Sequence, residues 1–204
     1  MFVSRRKAVW LLSTLPFATL CGCQADRPRI SGDYGPIKRA RSVHFSHQFN
    51  TQLGGDQCAV SVRPTGAGAV RLDFATLGLV LRKDSLQQSQ MLAGNLPLQI
   101  LSPVRSIGFT NRLRFQIHKP IGFSITVSAV LAGAYHRLDL NHDEEITHQI
   151  LTRELCSLMP WPANPNWQHP PPFSLAIELV VKRETGLGSP VVIAESLDIQ
   201  AIEV

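Results

Sequence analysis

Between positions 173 and 181 the apolar residues Phe173, Leu175, Ile177, Leu179 and Val181 fall on every second place. A repeat of two puts all five side chains on one face of an extended strand, because successive side chains alternate across it. A helix would scatter them around its axis. The same alternation recurs along the chain. Val43, Phe45, His47 and Phe49 alternate within 41–50; Cys58, Val60 and Val62 follow, then Val70, Leu72 and Phe74, and later Leu113, Phe115 and Ile117. Segments 77–81, 96–101, 104–109, 123–131 and 191–204 are apolar or β-branched enough to add further strands. Between them stand turn formers: Gly54-Gly55-Asp56, the stretch 64–68 and Gly186-Leu187-Gly188-Ser189-Pro190. Short strands separated by frequent turns predict a mainly β fold, an antiparallel β-sandwich or barrel-like domain.

One segment breaks the period. Over 144–158, Ile146, Ile150, Leu151, Leu155 and Leu158 recur at helical spacing, which predicts one amphipathic helix packed on the sheets. A shorter helical excursion is expected over 84–92, with Asp84 or Ser85 as its cap. The proline-rich run 160–172 is excluded from regular structure by its fixed backbone angles and missing donors. It reads as a stiff loop carrying Trp161, Trp167 and His169, which either roof the core or offer indole faces to a sugar or partner.

The first 22 residues carry Arg5, Arg6 and Lys7 and then the apolar stretch 8–20, too short to span a bilayer as a helix of about 20 residues. They match an export signal. Its end, Leu20-Cys21-Gly22-Cys23, resembles the lipobox of bacterial lipoproteins. The resemblance implies that Cys23 is lipidated and becomes the first mature residue. Gln24 in the next position implies an outer-membrane destination under the enterobacterial sorting rule. Ser4-Arg5-Arg6 is also similar to the start of a twin-arginine signal, although Ala8-Val9 departs from that pattern. The expected organisation is a signal over 1–22, a lipidated N-terminus and flexible tether over 23–41, and a single β-rich domain over 42–204.

Charge sharpens this reading. The chain of 204 residues has a net charge of +5, but three of its 20 basic residues lie in the export segment, leaving 17 against 15 acidic ones. A near-neutral remainder argues against a nucleic-acid partner. The cluster Lys38, Arg39 and Arg41 is read as part of the tether or as a contact for anionic headgroups. Removal of Cys21 with the signal and acylation of Cys23 leave Cys58 and Cys156. An oxidising compartment would join them in a disulfide; two buried thiols are the alternative.

Asp139-Leu140-Asn141-His142-Asp143-Glu144-Glu145 resembles the opening of an EF-hand calcium loop, with oxygens at alternate places. It departs from that pattern where Glu144 replaces the usual glycine and Ile150 the closing glutamate. Asp139, Asn141, Asp143 and Glu145 are therefore candidate Ca²⁺ ligands, and a polar turn in which Asp143 caps the following helix is the alternative. The histidines show no close pair suited to zinc. No nucleophile elbow, phosphate loop or dinucleotide fingerprint is present, so catalysis finds no support. The leading expectation is a non-enzymatic envelope lipoprotein that binds another envelope protein or a glycan while held to the membrane by its lipid. A ligand-binding β-sandwich module, binding carbohydrate or dependent on calcium, is the alternative, and a periplasmic hydrolase is a third reading.

Overall fold

The computed structural model describes residues 38–54, 58–102, 107–157 and 170–203. Trp161, Trp167, His169 and Cys23 lie outside them. Among the described residues fourteen strands run in order: β1 (Lys38–Arg39), β2 (Val43–Phe45), β3 (Asn50–Leu53), β4 (Val60–Gly66), β5 (Ala69–Phe74), β6 (Gly78–Val80) and β7 (Gln87–Leu96). They continue with β8 (Leu98–Ile100), β9 (Ile107–Lys119), β10 (Phe123–Leu131), β11 (Ala134–Leu140), β12 (Ile146–Ser157), β13 (Phe173–Arg183) and β14 (Val191–Glu203). Every pairing among them is antiparallel.

The expected β-sandwich is what the alternation builds. One sheet runs β12-β9-β14-β5-β4, with β6 and β1 also pairing to β14, and the other runs β11-β10-β13-β7-β3. A small third sheet pairs β2 with β8. Within the larger sheet β14 pairs with β9 along its length, while its other edge takes β6, β5 and β1 in succession. The alternating apolar sets meet between the two main sheets. Phe109 of β9 and Phe173 of β13 are both fully buried and meet edge to face at 5.0 Å between ring centroids. Segments 104–109 and 113–117, read separately in the sequence, both contribute to β9.

The two predicted helices are strands. Residues 84–92 run into β7, and 144–158 contains β12 on an edge of the larger sheet. The spacing of four between Leu151 and Leu155 is even, so it satisfies a period of two as well as a helical turn. In β12 these residues face Phe115 and Asn111 across the pair, on the core side. A bulge between Ile146 and Gln149, with His148 at φ 42°, shifts the phase. Ile146 and Leu151 then share the inner side although five places apart, and Ile150 is turned out to solvent. Ile146, Thr147, Ile150 and Thr152 are β-branched, which favours the extended form.

The strand-forming chain also begins inside the segment read as tether. Lys38 and Arg39 pair with Glu203 and Ile202, and Ala40 is completely buried.

Candidate functional site

The outer faces of the two main sheets differ in what they leave available. On the larger sheet, side chains of opposite charge are mutually engaged. Arg71 donates twice to the Asp198 carboxylate, at 2.6 and 2.8 Å, Arg63 pairs with Asp73 at 2.6 Å, Arg114 with Glu195 at 2.6 Å and Arg112 with Glu154 at 3.2 Å. Such partly exposed ion pairs contribute little stability individually, but they make this a predominantly charged face.

The smaller sheet presents a different surface. Strand register places Tyr135 opposite Val130, Val130 opposite Ala176, Ala176 opposite Ala93, and Ala93 opposite Leu53. These five residues form an apolar stripe crossing β11, β10, β13, β7 and β3 at right angles to the strands. The short side chains of Ala176 and Ala93 make its floor. Tyr135, 61% exposed, and Leu53, 53% exposed, stand at its two ends. Four strand spacings separate these ends, about 19 Å. Tyr135 reaches its place through a tight hairpin at Ala132 and Gly133, both with positive φ, the signature of a primed turn. Its hydroxyl lies 3.4 Å from the Ser128 hydroxyl.

Hydrogen-bonding groups border the stripe on both sides. Ser174, Asn95 and Asn50 occupy consecutive register positions on one side, and Arg137, Ser128 and Glu178 on the other, where Met91 ends the row as an exposed apolar side chain. The Arg137 Nε donates to both oxygens of Asp139, which also accepts from the Thr126 hydroxyl at 2.7 Å. The Thr126 hydrogen bond and Arg137 hold the Asp139 carboxyl below its ordinary range. The arrangement offers an apolar strip edged by donors and acceptors, suited to binding.

The four candidate calcium ligands are not brought together. Asp139 is committed to Arg137 and Thr126, and no group of three or more His, Cys, Asp or Glu side chains able to hold a metal occurs among the described residues. Asn141, Asp143 and Glu145 are exposed in the β11–β12 loop. Asp143 caps no helix, since a strand follows it. Within the loop the Lys119 Nζ donates to the Asn141 carbonyl at 2.5 Å and to the Glu144 carbonyl.

The expected disulfide is likewise not formed. Cys58 is a free, buried thiol at the start of the β4 edge, whereas Cys156 belongs to β12 at the opposite edge of the same sheet. Four strand spacings, about 19 Å, exceed the Cα separation of about 7 Å that a disulfide tolerates. Burial pushes the Cys58 thiol up from its ordinary value.

A cavity of about 310 Å³ lies between β2 and the β4–β5 hairpin, with His44 and His47 on its wall beside Val43, Phe45 and Pro64. The break after β2 brings these two histidines to one cavity although strict strand geometry would part them.

Sequence reading missed Tyr135 and its stripe. The alternation of Tyr135, Arg137 and Asp139 against His136, Leu138 and Leu140 was the available signal.

No family model and no curated protein matches the chain. Among solved structures, a chain of infectious bursal disease virus (Gx strain) is similar over 62% of this chain, with 14% identity and a TM-score of 0.34; this chain spans 29% of that one. The carbohydrate-binding module CBM27-1 of Caldicellulosiruptor saccharolyticus, solved with mannohexaose, is similar over 79% of this chain and 94% of its own, with 12% identity and a TM-score of 0.30. TmCBM61, solved with β-1,4-galactotriose, covers 79% and 88%, with 12% identity and a TM-score of 0.27. Likenesses this distant leave function to the chain's own residues.

Proposed function

We propose that this chain is a non-enzymatic binding module of a bacterial envelope, held to the membrane through Cys23, whose recognition surface is the Tyr135–Leu53 stripe. One observation carries the reading: the apolar strip with exposed Tyr135 and Leu53 at its ends, bordered by Ser, Asn, Arg and Glu side chains. A glycan fits this surface best among envelope components. Sugar rings present apolar C–H faces that stack on tyrosine, while their hydroxyls need donors and acceptors alongside. A protein partner of the assembly type would be expected to bury a larger, more continuous apolar patch.

Chain direction supports the membrane-held geometry. β1 joins the larger sheet at the end where β14 finishes and β9 begins, and Tyr135 follows the β10–β11 hairpin at that same end of the sandwich. The segment from Cys23 to Ile37 sets the reach; at full extension it spans at most about 50 Å. The module thus works on material close to its own membrane.

Two measurements test the proposal. The lipidated chain should appear in the membrane fraction with an acylated N-terminal Cys23, and Cys23→Ser should move it to the soluble fraction. The soluble form should co-sediment with isolated envelope glycan, and Ala176→Arg, which plants a long charged side chain on the stripe floor, should abolish this. Equal sedimentation of parent and Ala176→Arg would remove the stripe from consideration.

A further inference from the structure

The β11–β12 loop resembles a calcium loop in sequence, yet the structure places a cation of another kind inside it. Lys119, at the end of β9, is completely buried. Its Nζ donates to the main-chain carbonyls of Asn141 and Glu144, three residues apart in the loop. Burial pushes the Lys119 ammonium below its ordinary value, and the exposed carboxylates of Glu144, Asp143 and Glu145 oppose that shift by favouring a positive charge there. Leu140 and Ile146 are buried on either side, and the His142 carbonyl accepts from the Gly122 amide at 2.7 Å, so the loop is fixed at several points. Burying an ammonium is costly unless oxygens replace its water. A lysine suits this place because its charge is compact, like a metal ion, and its donors can be aimed at converging carbonyls.

We propose that this loop is a cation site occupied by the chain's own Lys119 ammonium, so that a free small cation is admitted only once that group is removed. Lys119 already engages the two loop carbonyls that converge on one point, those of Asn141 and Glu144. Asp139, the first ligand of the calcium pattern, is engaged by Thr126 and Arg137. Lys119 therefore does covalently what an ion does by binding: it gathers the loop through its carbonyls without depending on ion supply.

Thermal unfolding of the full chain tests this, with calcium chloride, methylammonium chloride or EDTA added and sodium chloride as the ionic-strength control. The parent Tm is expected to stay unchanged by calcium and by EDTA. Lys119→Ala is expected to melt several degrees lower and to regain part of the loss with methylammonium, whose head fits the vacated place. Lys119→Met, which keeps an unbranched side chain in place but lacks the charge, should melt lower and respond to neither salt. Should Lys119→Ala be unfolded throughout, recovery of the β-sheet circular dichroism signal on refolding with methylammonium supports the proposal, and no recovery overturns it. A calcium-dependent rise in the parent, or a Lys119→Ala variant responding no more than the parent, also overturns it.

Discussion

Replacing Tyr135 by alanine should weaken binding to envelope glycan while leaving the fold intact. A large aromatic side chain offers about 150–250 Å² of surface for burial, and 61% of Tyr135 is still open in the free protein. Complete coverage would bury roughly 120 Å² more, which at about 25 cal/mol per Å² is close to 3 kcal/mol. A sugar stacked on one ring face covers about half of that, so the expected loss is about 1.5 kcal/mol, or roughly tenfold in Kd. Isothermal titration with soluble glycan fragments measures it directly. The exposed ring and its 3.4 Å contact with Ser128 add little to stability, so Tm should barely move. A Tyr135→Ala protein that melts like the parent and binds within about a factor of two of it would refute the reasoning.

Gly122 has φ +86, its carbonyl accepts from the amides of Glu184, Thr185 and Gly186, and an added Cβ would lie 2.3 Å from the Gly186 nitrogen. Gly122→Ala should therefore cost about 3 kcal/mol or more from left-handed strain and displaced backbone together, read as a lower urea midpoint; an unchanged midpoint would remove this contact as a constraint. Because Cys58 is free, Tm should be the same with and without dithiothreitol, whereas a drop of several degrees on reduction would show a cross-link. His136 is half-buried and desolvation holds its imidazole below its ordinary value, so the unfolded chain binds the proton more tightly. Protonation then carries no penalty well above about pH 6.5, and stability falls as pH drops from there towards the depressed native value. Urea titrations of parent and His136→Gln should differ by a constant amount near neutrality, with the parent losing stability relative to the variant as pH falls below it; a difference independent of pH would contradict the assignment.

Sheet formation was legible because a buried face forces alternation: Phe173 to Val181 and Leu113 to Ile117 announce their strands without help from distant residues. β12 was not, because Leu151 and Leu155 satisfy both periods and the bulge at His148 hides the change of phase. The binding stripe was out of reach for a different reason. Leu53, Ala93, Val130, Tyr135 and Ala176 belong to five strands, and only pairing register lines them up. The calcium-like loop was read from its side chains, whereas Lys119, 20 residues before Asp139, decides what occupies it.

The position of β14 bears on when the protein can fold. It is the partner of β9 on one side and of β6, β5 and β1 on the other, yet it spans residues 191–203. During synthesis the larger sheet lacks its axis until those residues have been made, and β9 and β5 have no strand to lie between them. Contacts of such long sequence separation form slowly and late. A nascent chain of this topology therefore keeps its larger sheet open, with β9 and β5 unjoined, until residues 191–203 have been made.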